Sequence, residues 1–164
     1  MKKILWIVVL IVVLGGGYVL YTNSSSSAGS SPAGGVGEFT SAPAGATAFS
    51  GSIADLVAGK AEMRCFLTQD KAQANLFAGG GKVRLDVTIK TPQVTLDKHT
   101  LFDGQELYVW DSTAAEGLKT KLTFAELKKK DPSFESKTAG YMCAPATVAG
   151  DTFTPPSNIT FKSY

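Results

Sequence analysis

Two cysteines, one histidine, a glycine triplet and a lysine triplet are the residues best equipped for chemistry in this 164-residue chain. Cys65 and Cys143 form an even pair, which in an extracytoplasmic domain reads as a disulfide; the alternative is two buried thiols. The bond would close a loop of about 78 residues, worth on the order of 4 kcal/mol in the chain-entropy picture. A redox couple would use Cys-x-x-Cys, which is absent. His99 stands between Lys98 and Thr100 with no other histidine in the chain. A lone imidazole in such a stretch reads as a surface or hydrogen-bonded residue rather than a general base. No Gly-x-Ser-x-Gly elbow accompanies it, and the carboxylates are scattered rather than set at metal-ligand spacing. Gly79-Gly80-Gly81 would need a following Gly-Lys-Ser/Thr and a helix to cradle phosphate; a strand pattern follows, so a hairpin turn is expected. Lys128-Lys129-Lys130 suits the end of a helix, where cations meet the negative dipole; the competing role is attraction of anionic lipid headgroups. No catalytic residue, cofactor or metal is therefore expected. The net charge of +2, from 16 basic and 14 acidic residues, gives no case for a nucleic-acid partner.

The more informative signal is apolar. In the run Gln105 to Asp111, Leu107 and Val109 alternate with Tyr108 and Trp110, so both faces of this strand are apolar. One face can enter a core. The other needs a helix, a loop or a ligand over it. Phe66, Phe77, Phe102, Tyr108, Trp110 and Phe153 are the residues expected to line a ligand site, with Tyr108 also expected to offer an exposed aromatic for a protein partner.

These residues must be positioned by a sheet. Val83, Leu85, Val87 and Ile89 alternate with Arg84, Asp86, Thr88 and Lys90, a strand with one buried and one wet face. Strands are also expected over 62–68, 72–78, 93–97 and 99–102 (as one broken strand or two), 105–111, 118–122, 141–143 and 158–164. Asp103-Gly104 marks a tight hairpin. Ser52 caps a short helix ending at Gly59, and Thr123-Phe124-Ala125-Glu126 is a capping box opening a helix over 124–130, stopped by Asp131-Pro132. Residues 145–157 read as a loop. About eight strands and two short helices give a mainly β, α+β domain built on an antiparallel sheet.

Upstream, Met1-Lys2-Lys3 precedes an uncharged run from Ile4 to Tyr21, about 18 residues and long enough to cross a bilayer. Residues 1–21 read as a transmembrane anchor with the N-terminus cytoplasmic. A cleaved signal peptide, cut near Ser26-Ser27-Ala28, is the alternative. Either places the remainder in the periplasm or at the cell surface. Residues 22–48, nearly all Ser, Gly, Ala, Pro and Thr, form a disordered linker spanning about 30 Å. The folded domain is residues 49–164.

Two stretches carry a family resemblance: "GKVRLDV" with Arg84, and "DGQELYVWD" with Asp103, Gly104, Leu107, Tyr108, Trp110 and Asp111. With these the domain resembles the LolA-like superfamily of lipoprotein carriers and regulators. The ending "GDTFTPPSNITF" and the Cys65/Cys143 pair resemble small uncharacterised bacterial envelope proteins of this pattern. The resemblance implies a curved antiparallel half-barrel whose concave face is plugged by helices, with acyl chains bound between. The chain departs from the carriers in being shorter and tethered, which favours a fixed sensor or receptor over a shuttle. The expected function is binding of a lipid or lipoprotein acyl chain by a membrane-tethered domain. The alternative is a non-catalytic cell-envelope protein-interaction module.

Overall fold

The computed structural model describes residues 41–69, 71–135 and 140–164. The anchor and most of the linker lie outside the described residues. Among the described residues no helix is long and apolar enough to cross a membrane.

The strands are β1 (Thr47–Ala48), β2 (Met63–Gln69), β3 (Ala72–Gly79), β4 (Lys82–Lys90), β5 (Thr95–Phe102), β6 (Glu106–Asp111), β7 (Glu116–Lys121), β8 (Met142–Pro145) and β9 (Thr160–Ser163). The helices are α1 (Ile53–Ala58) and α2 (Phe124–Lys130), with 3-10 turns at Pro132–Phe134 and Gly150–Phe153. All nine strands form one sheet in the order β1-β8-β2-β3-β4-β5-β6-β7-β9. From β2 to β7 each strand pairs with the next through a hairpin. The β3–β4 turn is a two-residue loop, Gly80-Gly81, at φ 59 and 80. Both central positions of a type I′ turn need that left-handed backbone, so the glycine triplet sits there as expected.

Four details differ from the sequence reading. The sheet is mixed, because β9 runs parallel to β7. Residues 93–102 give one continuous strand, beginning at Thr95. The sheet already includes Thr47–Ala48, ahead of the boundary drawn from composition. The loop after Pro145 contains a helical turn.

The parallel pairing follows from how the chain returns. β8 pairs with β2 near one edge, and β9 joins the opposite edge. The connection between them, residues 146–159, must cross six strands, about 34 Å at the usual spacing. It lies as a strap across one sheet face. The helices cover the other face.

Each helix is started by its side chains. Ser52 Oγ accepts from the Asp55 amide at 3.1 Å, and the Asp55 carboxylate accepts from the Ser52 amide at 2.7 Å. Thr123 and Glu126 repeat the arrangement at α2. These hydrogen bonds to the charged form hold both carboxyls below their ordinary range.

The helix-face core joins Ile53, Leu56 and Val57 of α1 to Leu76, Ala78, Val83 and Phe102 of the sheet and to Leu127 and Phe134. Within it Cys65 and Cys143, opposite each other on β2 and β8, form a disulfide. The strap-face core is smaller: Leu101, Tyr108 and Trp110, covered by Phe153, Ile159 and Phe161. On the two-faced strand β6 the strap face is covered at Tyr108 and Trp110 and the helix-face core covers Leu107, while Val109 stays half-buried.

Candidate functional site

The aromatic residues expected to line one ligand site are divided by the sheet. Phe102 is fully buried on the helix face, its ring 5.9 Å from Phe124. Tyr108, Trp110 and Phe153 lie on the strap face. Register puts Phe66 and Phe77 on that second face too, because their neighbours Cys65 and Leu76 point into the helix-face core. Tyr108 is 7% exposed, so it offers no aromatic surface to a partner. Its hydroxyl donates to Glu106 at 2.6 Å, and burial raises its pKa, helped by that hydrogen bond.

Sequence reasoning missed two arrangements. The first is polar. Trp110 is enclosed by His99, stacked at 4.9 Å and 18°, by the edge of Phe161 at 5.8 Å, and by the Arg84 guanidinium at 5.7 Å. Arg84 is buried, and its Nε meets both carboxylate oxygens of Asp86 at 3.0 Å. Its Nη1 donates to the Thr152 carbonyl of the strap at 3.3 Å. Asp86 Oδ1 then meets His99 Nδ1 at 2.6 Å, and His99 Nε2 meets Ser112 Oγ at 2.7 Å. In its ion pair with Arg84 the Asp86 carboxylate only accepts, so Nδ1 carries the proton. A neutral ring then leaves Nε2 as an acceptor, and the Ser112 hydroxyl donates to it.

The lone histidine is therefore fixed at both nitrogens. Its partners come from the strand before and the turn after, each 13 residues away along the chain. Cross-strand register brings them together: Asp86 faces His99, and His99 faces Trp110.

The second arrangement is apolar. On the helix face, β4 presents Val83 and Leu85 buried, then Val87 and Ile89 only partly so. The apolar face of the strand outruns the helices that cover it. Register places two apolar pairs on this face, at different levels of the sheet. Ile89 faces Leu96, and Val109 faces Leu118, with Leu96 44% and Leu118 48% exposed. Val87 faces Lys98 and Lys98 faces Asp111, so the Lys98–Asp111 ion pair, at 3.1 Å, lies between these two apolar pairs and breaks the row; Lys162 with Glu116 at 2.6 Å lies beside Leu118. A separate open cleft of about 420 Å³ lies between the helices, lined by Ala54, Asp55, Ala58, Phe124, Lys128 and Glu135 among others. Lys128 is paired there with Glu135 at 2.9 Å. None of the aromatic residues singled out above lines that cleft.

Among the described residues no group of His, Cys, Asp and Glu is placed to hold a metal. Comparison of the chain with family models, with curated proteins and with solved structures finds no match.

Proposed function

We propose that the chain is a membrane-tethered extracytoplasmic domain that binds an acyl chain or similar apolar ligand across the helix face of its sheet. The observation that supports this reading is the broken row Val87, Ile89, Leu96, Val109 and Leu118, half-buried or exposed on the helix face. The row spans strands β4 to β7, about 15 Å at the usual strand spacing, as two patches on either side of the Lys98–Asp111 pair. It is continuous with the packed core at Val87, so a bound chain would extend that core rather than enter a separate cavity. Covering a fully exposed leucine contributes about 1.5–3 kcal/mol, and side chains already half-buried contribute less, so binding needs contacts along both patches. The Lys98–Asp111 pair between the patches suits a ligand that carries a polar group. The curved half-barrel implied by the LolA-like resemblance would wrap this same face around the chain.

The test uses the full-length protein extracted from membranes in mild detergent. Mass spectrometry is expected to find co-purified lipid, and a fluorescent fatty acid is expected to bind. Leu118→Asp puts a charge in the row at an exposed position, where it leaves the fold intact. It is expected to weaken probe binding at least about tenfold, a loss of about 1.4 kcal/mol. Absence of lipid together with equal probe binding by Leu118→Asp would overturn the reading. The rival, a protein-interaction module, uses the same surface; photo-crosslinking from position 118 to a protein instead of a lipid would favour it.

A further inference from the structure

The polar chain on the strap face has the connectivity of a nucleophile, a base and an orienting carboxylate, and nothing in the ligand-binding reading uses it. We propose that Ser112 is an activated nucleophile toward small carboxylic esters, with His99 as its general base and Asp86 as the positioning residue. The inference is independent of the apolar row, which lies on the opposite face of the sheet.

Geometry carries it. The hydroxyl-to-imidazole distance is 2.7 Å and the imidazole-to-carboxylate distance 2.6 Å, each on the nitrogen the mechanism requires. Such a constellation is recognised by roles and distances rather than by sequence order. The imidazole is held in plane by stacking on Trp110. Asp86 is itself held by Arg84, and Arg84 by the strap. The nucleophile is anchored too: the Ser112 amide donates to the Asp97 carbonyl at 3.0 Å. Ser112 is exposed, on the turn after β6, so a substrate reaches it from solvent. The interhelical cleft is lined by other residues. An open nucleophile without a deep pocket suits a small acyl group, such as acetyl.

The reaction balances without a co-reactant other than water. Ser112 Oγ bonds to the ester carbonyl carbon as its proton passes to His99 Nε2. The tetrahedral oxyanion collapses, the carbon–oxygen bond to the leaving alcohol breaks, and His99 returns the proton to that oxygen. Water then attacks the acyl-Ser112 ester through the same base, releasing the carboxylic acid and restoring the hydroxyl. The amide of Thr113, next after the nucleophile, is the donor this mechanism would use for the oxyanion.

The full-length protein in detergent is treated with a fluorophosphonate probe, and separately with p-nitrophenyl acetate, and the modified peptide is located by mass spectrometry. The adduct is expected on Ser112 and not on Thr113. His99→Gln, which keeps hydrogen-bonding capacity but loses the base, is expected to slow labelling by at least about 100-fold. Asp86→Asn is expected to slow it as well, and Asp86→Glu to restore part of the rate, a recovery that a purely structural carboxylate would not produce. Absence of an adduct at Ser112 in the unaltered protein overturns the proposal whatever the variants do. Equal labelling rates in folded His99→Gln overturn it too.

Discussion

Phe161 lies directly over Gly117. A Cβ built on that glycine would stand 2.6 Å from Phe161 Cε1 and 2.9 Å from the Val109 carbonyl oxygen. The two residues are register partners in the one parallel pairing of the sheet. The missing side chain on β7 is what lets the ring of β9 reach Tyr108 at 5.1 Å and Trp110 at 5.8 Å.

Gly117→Ala is therefore expected to destabilise the domain by about 1–3 kcal/mol, the usual cost of overfilling a packed site. The loss should appear as a lower urea midpoint with an unchanged slope. Because β9 directly follows the strap, the same variant should loosen the strap first, and Trp110 emission should change before the helices melt.

The strap is also held from below. Arg84 bonds its Thr152 carbonyl and lies against Trp110. Arg84→Ala removes both contacts and leaves Asp86 facing His99 without its guanidinium. Removing one member of a fully buried pair costs about 3–5 kcal/mol. Here Asp86 retains 18% side-chain exposure, and water softens the loss to about 2 kcal/mol. Limited proteolysis within residues 146–159 is expected to accelerate in the variant. An unchanged cleavage rate would mean that Phe153 and Phe161 hold the strap alone.

Much of the sheet was legible in period-2 alternation and turn chemistry. Gly80-Gly81 and Asp103-Gly104 mark hairpins, and Ser52 and Thr123 mark helix starts, because each rests on local backbone requirements. The disulfide pairing was legible because only two cysteines exist. Long-range placement was not. Nothing local tells Thr160–Ser163 to run parallel to β7, since that depends on where the strap lands. The aromatic candidates were chosen by type, and alternation sends Phe102 and Leu101 to opposite faces, which splits the set. The Asp86, His99 and Ser112 contacts depend on the register of two successive hairpins, and a slip of one residue would abolish them.

The disulfide joins β8, and through it β1, to the longer strand β2. β8 is a strand of four residues, and β1 of two. Neither is long enough to hold its place by pairing alone. Cys65→Ala with Cys143→Ala is expected to lower stability by about 4 kcal/mol. Hydrogen exchange should then show β1 and β8 opening ahead of β3 to β6. Uniform exchange across the sheet would show that the bond acts only on the unfolded chain.

Tyr141 gives the sharpest pH prediction. Its hydroxyl is buried with no hydrogen-bond partner among the described residues, and its side chain packs in the helix-face core. Burial pushes its pKa up to about 12. A raised folded pKa means that the stability it contributes is fully present below about pH 10 and is lost as pH rises toward 12. The loss approaches about 2–3 kcal/mol by pH 12, at 1.36 kcal/mol per unit. Tyr141→Phe removes both the unsatisfied hydroxyl and the ionisation. The variant is expected to match or exceed the parent by about 1 kcal/mol at pH 7. It should also unfold at higher pH, with a shallower alkaline limb in chemical denaturation. If it is instead less stable at pH 7, the hydroxyl has a partner that the buried geometry hides, and the alkaline limb belongs to Tyr108, whose pKa is raised as well.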